Sequence, residues 1–377
     1  MHILMSYESY HTAYDELARA ISCLQNLSDE GPYLAARATH ISSFLPLNQP
    51  LYSLILFGIV PSLVADHTFV RPPVLTRDVL LRLIDCLEIA SFFPTLQCQM
   101  VGRSEYIQTC VRHSDVVIFV GKHENALAVH AQCSKDALFI FTGAGVNPVI
   151  VGPDADIDLA AAKTAEAKMY NSGQDCAAPD AVLVHHSIAD QFQLALIRQL
   201  DALAVGGYED PSTRIGPLID DESLVSALKF FQTYHDNIVY GGTIDARRRI
   251  VYPTIVRGCL PRDRCYVELF APVIFLSSFC SADHLRTYFE DSRYLEHAMY
   301  VTVFGDPRLA DPIRNSVVLK NLTVLDVEQG NRPFGGFGRR ANFSASRGSV
   351  SVRPILISRE IWEHKLLTTS SSALEVV

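Results

Sequence analysis

The 377-residue chain has one tryptophan, five methionines and no sustained basic run. Arg247-Arg248-Arg249 is its densest cationic cluster, and against a net charge of −9 that excludes a general nucleic-acid binder. The nine cysteines, at positions 23, 86, 98, 110, 133, 176, 259, 265 and 280, form no CxxC pair and no Cys/His cluster at zinc spacing. Neither a metal site nor a disulfide framework is therefore expected. The longest apolar stretch, Leu51 to Ala65, is interrupted by Ser53, Pro61 and Ser62 and is too short to cross a bilayer. Residues 1–8 lack a basic segment followed by an apolar one, so no signal peptide is read. The expectation is a reducing, cytoplasmic setting without membrane or nucleic-acid partners.

What is present is apolar and alternating. Hydrophobic residues make up 49% of the chain and charged residues 19%, enough for two ordinary cores. Apolar spacing of three and four predicts helices over 13–27, 77–89, 188–203 and 223–234. Continuous apolar runs, Val116 to Val120 and Ala137 to Phe141, read as strands covered on both faces, and 250–256 and 272–276 as further strands. Strands alternating with helices predict an α/β fold with open parallel sheets, whose ligands bind beyond the carboxyl ends of the strands. Gly121 and the Gly143/Gly145 loop fall at such ends. The Ser/Thr-rich run 368–373 is expected to be loosely ordered.

One stretch organises the rest. In Asn171-Ser172-Gly173-Gln174-Asp175-Cys176 a thiol follows a helix-like run and small residues that expose backbone amides. Such a thiol is either an acyl-transfer nucleophile or a small buried hydrophobe, and spacing alone leaves both open.

The order of motifs resembles the aldehyde dehydrogenase family. Asn171-x-Gly173-Gln174-x-Cys176 is similar to its nucleophile motif, and Pro46-Leu47-Asn48-Gln49-Pro50-Leu51 to its Pro-Trp-Asn-Phe-Pro-Leu segment. Asn147-Pro148-Val149-Ile150-Val151, Ile215-Gly216-Pro217-Leu218, Pro253-Thr254, Glu268-Leu269-Phe270-Ala271-Pro272-Val273 and Pro333-Phe334-Gly335-Gly336-Phe337 follow in the family's order. The resemblance implies two Rossmann-like open-sheet domains, divided here as 1–141 for the dinucleotide, 142–345 for the nucleophile, and a C-terminal segment 346–377 that is oligomeric or partly disordered. It implies that Cys176 attacks an aldehyde or acyl-thioester carbonyl, with Asn48 and the Cys176 amide as oxyanion donors. It places Glu268 on the nicotinamide ribose, with Phe270, Arg71, Gly121, Lys122 and Pro46 also about the cofactor, NAD or NADP.

The departures carry information too. Thr142 stands where the family has the glutamate that activates the deacylating water, and a threonine hydroxyl takes no proton near neutral pH. Coenzyme A as acyl acceptor, thioester reduction, or another carboxylate such as Glu268 are the alternatives. Val74 replaces a ribose-binding glutamate, which removes the repulsion of a 2′-phosphate and opens the site to NADP. Lys122, in place of a serine, either neutralises a phosphate or faces solvent. The segment preceding Asn48 is shorter than the family pattern, and the sequence after Phe337 leaves that pattern. A homodimer is one expected assembly. The other reading, from a different class, is a catalytically silent member of the fold acting as a binding partner.

Overall fold

The structure is a computed structural model that describes residues 1–309 and 311–374, the side chains of 368–374 excepted. Fourteen strands are labelled here in chain order. They are β1 Ala38–Phe44, β2 Ala65–Arg71, β3 Leu96–Cys98, β4 Val116–Val120, β5 Leu138–Thr142, β6 Val149–Val151 and β7 Ala181–His185. The chain continues with β8 Ile238–Tyr240, β9 Thr254–Cys259, β10 Val273–Phe279, β11 Tyr300–Phe304, β12 Val317–Lys320, β13 Asn342–Ser346 and β14 Ser349–Ser351. They make two seven-stranded sheets, in the orders β14-β13-β5-β4-β1-β2-β3 and β12-β11-β6-β7-β10-β9-β8. The first is parallel from β3 to β5 and antiparallel at β13 and β14; the second is parallel except for β8. The α/β class with two open, mostly parallel sheets is thus as read from the alternation. The strand pair 342–351 returns to the first sheet, so the division expected at 345 falls inside it.

The central strands are buried because they are apolar on both faces: Val116, Val117, Ile118, Phe139, Ile140 and Phe141 are sealed from solvent. Helices cover them with capped ends. Ser9 accepts from the Thr12 amide at the start of α1, Tyr10–Gln25; Asp156 caps Ile157–Met169, and Asp220 caps Asp221–Thr233. The buried segment 50–62 is irregular. Pro61 has no amide to return to the helix, and the register widens into a π turn over Ile55–Ile59.

Two expectations are corrected. The strand read over 250–256 is split, because Pro253 donates nothing to the ladder: Ile250–Val251 pairs in a hairpin and β9 begins at Thr254. The run 368–373 lies within the helix Ile357–Leu374 rather than in loose chain; residues 375–377 lie outside the described residues. Among the described residues no helix is long and apolar enough to cross a membrane.

In the first sheet, β1 sends the chain one way to β2 and β3, while β4 and β5 lie on its other side. The crevice at the carboxyl ends of β1 and β4 is the topological switch point of such a sheet. Across that crevice stands the turn that precedes β7.

Candidate active site

The turn holding Cys176 is unusual backbone. After the helix Ile157–Met169, Asn171 (φ 48°), Ser172 (φ 57°) and Gly173 (φ 77°) are left-handed in succession. Two of these are not glycine, a conformation that costs free energy and persists only where the surroundings over-determine it. Gly173 is obligatory for a second reason: a Cβ there would lie 2.3 Å from the Ala271 carbonyl.

The surroundings that hold it are the motifs recognised in sequence. Ser172 Oγ accepts from the Gly216 amide at 2.9 Å and bonds the Tyr208 hydroxyl at 3.1 Å; Gln174 Oε1 accepts from the Ile219 amide at 2.7 Å. The Ile-Gly-Pro-Leu segment is thus the brace of the Cys176 turn. Asn147 donates to the Cys176 carbonyl at 2.9 Å, while its own oxygen accepts from the Tyr300 amide at 3.2 Å. Asn48 donates to the Gln174 carbonyl at 3.2 Å, two residues before the thiol, and Gln49 donates to Asp175 at 3.3 Å. A planar amide carries two N–H groups, so Asn48 spends one on the turn and keeps another.

Cys176 is half-buried. Its thiol is pushed well above the ordinary range by burial, then by the charges of Asp175, Glu268 and Glu328, and only its own amide opposes them. The resting thiol is protonated. Glu268, also half-exposed, is pushed up to about 8 by burial and by Asp180 and Asp175, against Lys168 and Lys122. A carboxyl so raised can exchange a proton near neutrality.

Lys168 and Asp180, which nothing in the sequence singled out, fix this glutamate. Their buried ion pair at 2.7 Å bonds Leu269 twice: Lys168 donates to the Leu269 carbonyl at 2.7 Å, and Asp180 accepts from its amide at 3.0 Å. Glu268 and Phe270 flank that clamped residue. The signal available was weak, since a lysine on a helix reads as solvated until the helix is known to be covered on every side.

The other expected residues line the crevice. Pro46 follows β1, and its neighbour Leu47 offers its carbonyl to the Tyr7 hydroxyl at 2.5 Å. Gly121 (φ 144°) ends β4, and a Cβ on Gly143 would stand 2.7 Å from its carbonyl. Lys122 is exposed, and its ammonium pairs at the surface with Glu222. Arg71 ends β2 over the Phe44 ring and donates to the Val101 carbonyl at 3.3 Å, which Arg77 also bonds, at 2.7 Å. Arg77 and Arg103 both depress the Arg71 guanidinium after burial does, so three cations share this corner. Among the described residues none of the three is in an ion pair, and Arg77 Nε is buried with no partner. Val74 leaves the corner open, two-thirds exposed. Thr142 is buried at the end of β5, where its carbonyl accepts from the Gly121 amide at 3.1 Å.

Comparison with known proteins gives a family and a fold. The model of the aldehyde dehydrogenase family matches residues 37–349. A 4,4′-diaponeurosporen-aldehyde dehydrogenase of Staphylococcus aureus is 25% identical over 314 residues, 78% of this chain and 64% of that one. A lactaldehyde dehydrogenase of Methanocaldococcus jannaschii is 29% identical over 232 residues, 57% of this chain and 48% of that one. The chain spans between about half and two thirds of the length of such curated relatives. Among solved structures, a succinic semialdehyde dehydrogenase from Streptococcus pyogenes in complex with NADP+ superposes with a TM-score of 0.78 at 17% identity, covering 93% of this chain and 84% of that one. An NADP-dependent enzyme of E. coli gives 0.79 at 18% identity, covering 95% and 78%. At that identity the likeness is one of fold.

Proposed function

The chain belongs to the aldehyde dehydrogenase family, and from that premise we propose that it is an NAD(P)-dependent oxidoreductase acting on aldehydes, or on acyl thioesters in reverse, through a covalent adduct on Cys176. The observation that carries this reading is the convergence of Asn48, Asn147 and Cys176 on one braced turn, with Glu268 within electrostatic reach of the thiol.

In the oxidative direction Cys176 Sγ bonds the carbonyl carbon and its proton passes to Glu268, the carboxyl raised into a range where it can accept one. The carbonyl oxygen takes the negative charge. The remaining N–H of Asn48 and the Cys176 amide are its donors, each contributing about 3–4 kcal/mol in comparable sites. A bound dinucleotide supplies the hydride acceptor. The thioester left on Cys176 needs a second nucleophile, and Thr142 cannot activate water. A thiol such as coenzyme A brings its own proton, which Glu268 takes once its first has passed to solvent. The Cys176 thiolate then leaves as the new thioester forms.

We place the dinucleotide in the crevice between β1 and β4, where Gly143 packs against the Gly121 carbonyl, with Pro46 and Phe270 proposed to border it. Arg71, Arg77 and Arg103 would hold its anionic end. Three unpaired cations, with Val74 in place of a carboxylate, favour a 2′-phosphate, and NADP is the cofactor proposed. Residues 1–142 and 342–374 are proposed to work as the cofactor half and the intervening residues as the nucleophile half.

The test follows NAD(P)H absorbance with aldehydes, with and without coenzyme A, using both cofactors. Turnover should be faster with coenzyme A and with NADP, and Cys176→Ala should lower it by at least about 10³-fold. Unchanged turnover in that variant rejects the mechanism. No dinucleotide binding together with slow, ordinary alkylation of Cys176 favours the silent reading instead.

A further inference from the structure

Asn48 sits on a stretch of chain with no regular structure. Residues 45–49 join β1 to the helix Pro50–Leu54, and Gln49 is left-handed at φ 51° although it is not glycine. Such backbone persists only where its surroundings over-determine it. One side of the stretch meets the Cys176 turn, through the donors of Asn48 at 3.2 Å and Gln49 at 3.3 Å. Both bonds are at the long end for N–H donors, so they do not fix the stretch by themselves.

The other side is held by residues 7–16. Tyr7 donates its hydroxyl to the Leu47 carbonyl at 2.5 Å, one residue before Asn48. Glu16, on α1, accepts from the Tyr52 amide at 2.8 Å, in the first turn of the helix that follows. Between them Ser53 donates its amide to the Gln49 carbonyl at 2.9 Å and its hydroxyl to the Asn48 carbonyl at 3.1 Å. The carbonyls of 47, 48 and 49 are thus each taken, the first of them from a distant part of the chain. That part is itself well anchored. Leu4 and Ala13 share one core with Leu51 and Leu54, and Ser9 caps α1 between Tyr7 and Glu16. Burial, then the charges of Glu8, Asp220 and Glu16, keep the Tyr7 phenol protonated, so it remains a donor.

We propose that Tyr7 is a positioning residue for Asn48: its bond to the Leu47 carbonyl sets the place from which the free N–H of Asn48 reaches the oxyanion. This rests on the reading of Cys176 as the nucleophile and deepens it. A donor stabilises the developing charge only if it is in place before the charge forms. Asn48 has its other N–H on the Gln174 carbonyl, so its amide can pivot about that bond unless the backbone beneath it is fixed from elsewhere. Tyr7 supplies that fixture. Without it Leu47 can shift against the Cys176 turn, and a misplacement of about 1 Å can cost about 10²-fold in rate.

The experiment uses 4-nitrophenyl acetate, which tests the thiol and its oxyanion donors without a dinucleotide. Cys176 Sγ bonds the ester carbonyl carbon, 4-nitrophenolate leaves, and the thiol proton passes to solvent. Release of the first equivalent is timed in the full chain, in Tyr7→Phe, in Asn48→Ala and in the double variant. We expect Tyr7→Phe to slow release by about tenfold or more on its own, and by less than about twofold once Asn48 is alanine. An equal loss in both backgrounds is what a merely structural hydroxyl would give and overturns the proposal; so does no loss in either. In turnover, Tyr7→Phe should lower kcat while KM for NADP stays within about twofold. A larger rise in that KM places the damage in the cofactor crevice and also overturns it. Cys176→Ala separates the two readings. If it releases nitrophenolate as fast as the unaltered chain, or the unaltered chain releases none, the catalytic reading falls. The crystal structure of Tyr7→Phe then judges the fixture alone: Asn48 displaced by about 1 Å against Gln174 upholds it, and an unmoved loop overturns it.

Discussion

Gly173 shows how narrowly single residues are constrained around Cys176. Its φ of 77° and the 2.3 Å approach of the Ala271 carbonyl to an added Cβ act together. Gly173→Ala should therefore destabilise the protein by about 3 kcal/mol or more, from backbone strain plus overpacking. Urea denaturation measures it, and a change within about 0.5 kcal/mol of wild type would refute the account. This part of the site was legible in the sequence. A turn with two side chains and a glycine in left-handed backbone, ending in a thiol, leaves a spaced signature, and Asn48 and Glu268 sit in motifs of their own. Arg19 and Glu328 were not legible, because they meet only once α1 is laid across the loop 309 residues later, and neither has a distinctive neighbourhood in sequence.

Among the elements, the joint between the helix Ile157–Met169 and the segment ahead of β10 depends on the Lys168–Asp180 pair. Both side chains are sealed from solvent, and Asp180 accepts from both Lys168 and the Leu269 amide. Burial pushes the Asp180 carboxyl up while Lys168 holds it down. Lys168→Met leaves an uncompensated buried carboxylate and should cost about 3–5 kcal/mol. Adding Asp180→Asn should recover part of that loss, read from denaturant midpoints; an additive double variant would show that the two are not coupled. Strands were readable in the sequence where both faces are apolar, as in β4 and β5. β13, Asn-Phe-Ser-Ala-Ser, was not, because its alternation is short and only Phe343 and Ala345 in it are apolar. Its place beside β5 is set by pairing between residues 342–345 and 139–142 rather than by anything local.

At the scale of the whole molecule, the first residues are tied to the crevice by a pair of acids. Glu8 and Glu16 are both buried, and Glu16 accepts from the Tyr52 amide at 2.8 Å. Neither oxygen of Glu8 nor the second oxygen of Glu16 has a hydrogen-bond partner, and both carboxyls are raised, so the pair is expected to share a proton. Burial comes first among the causes that raise both above the ordinary 4.5. Groups raised in the folded state contribute stability that is fully present below the ordinary value and is lost as pH rises past it. The melting temperature should fall as pH is raised from about 5 to about 9, and Glu8→Gln, which carries its own donor, should flatten that fall. A profile identical in the variant would rule out the shared proton. The return of β13 and β14 to the first sheet has a consequence during synthesis. The second sheet is drawn wholly from residues 149–320, so it can close while the ribosome is still translating. The first sheet cannot: until residue 342 has emerged, β5 presents Leu-Phe-Ile-Phe-Thr as a bare edge, an invitation to chaperones or to another nascent chain.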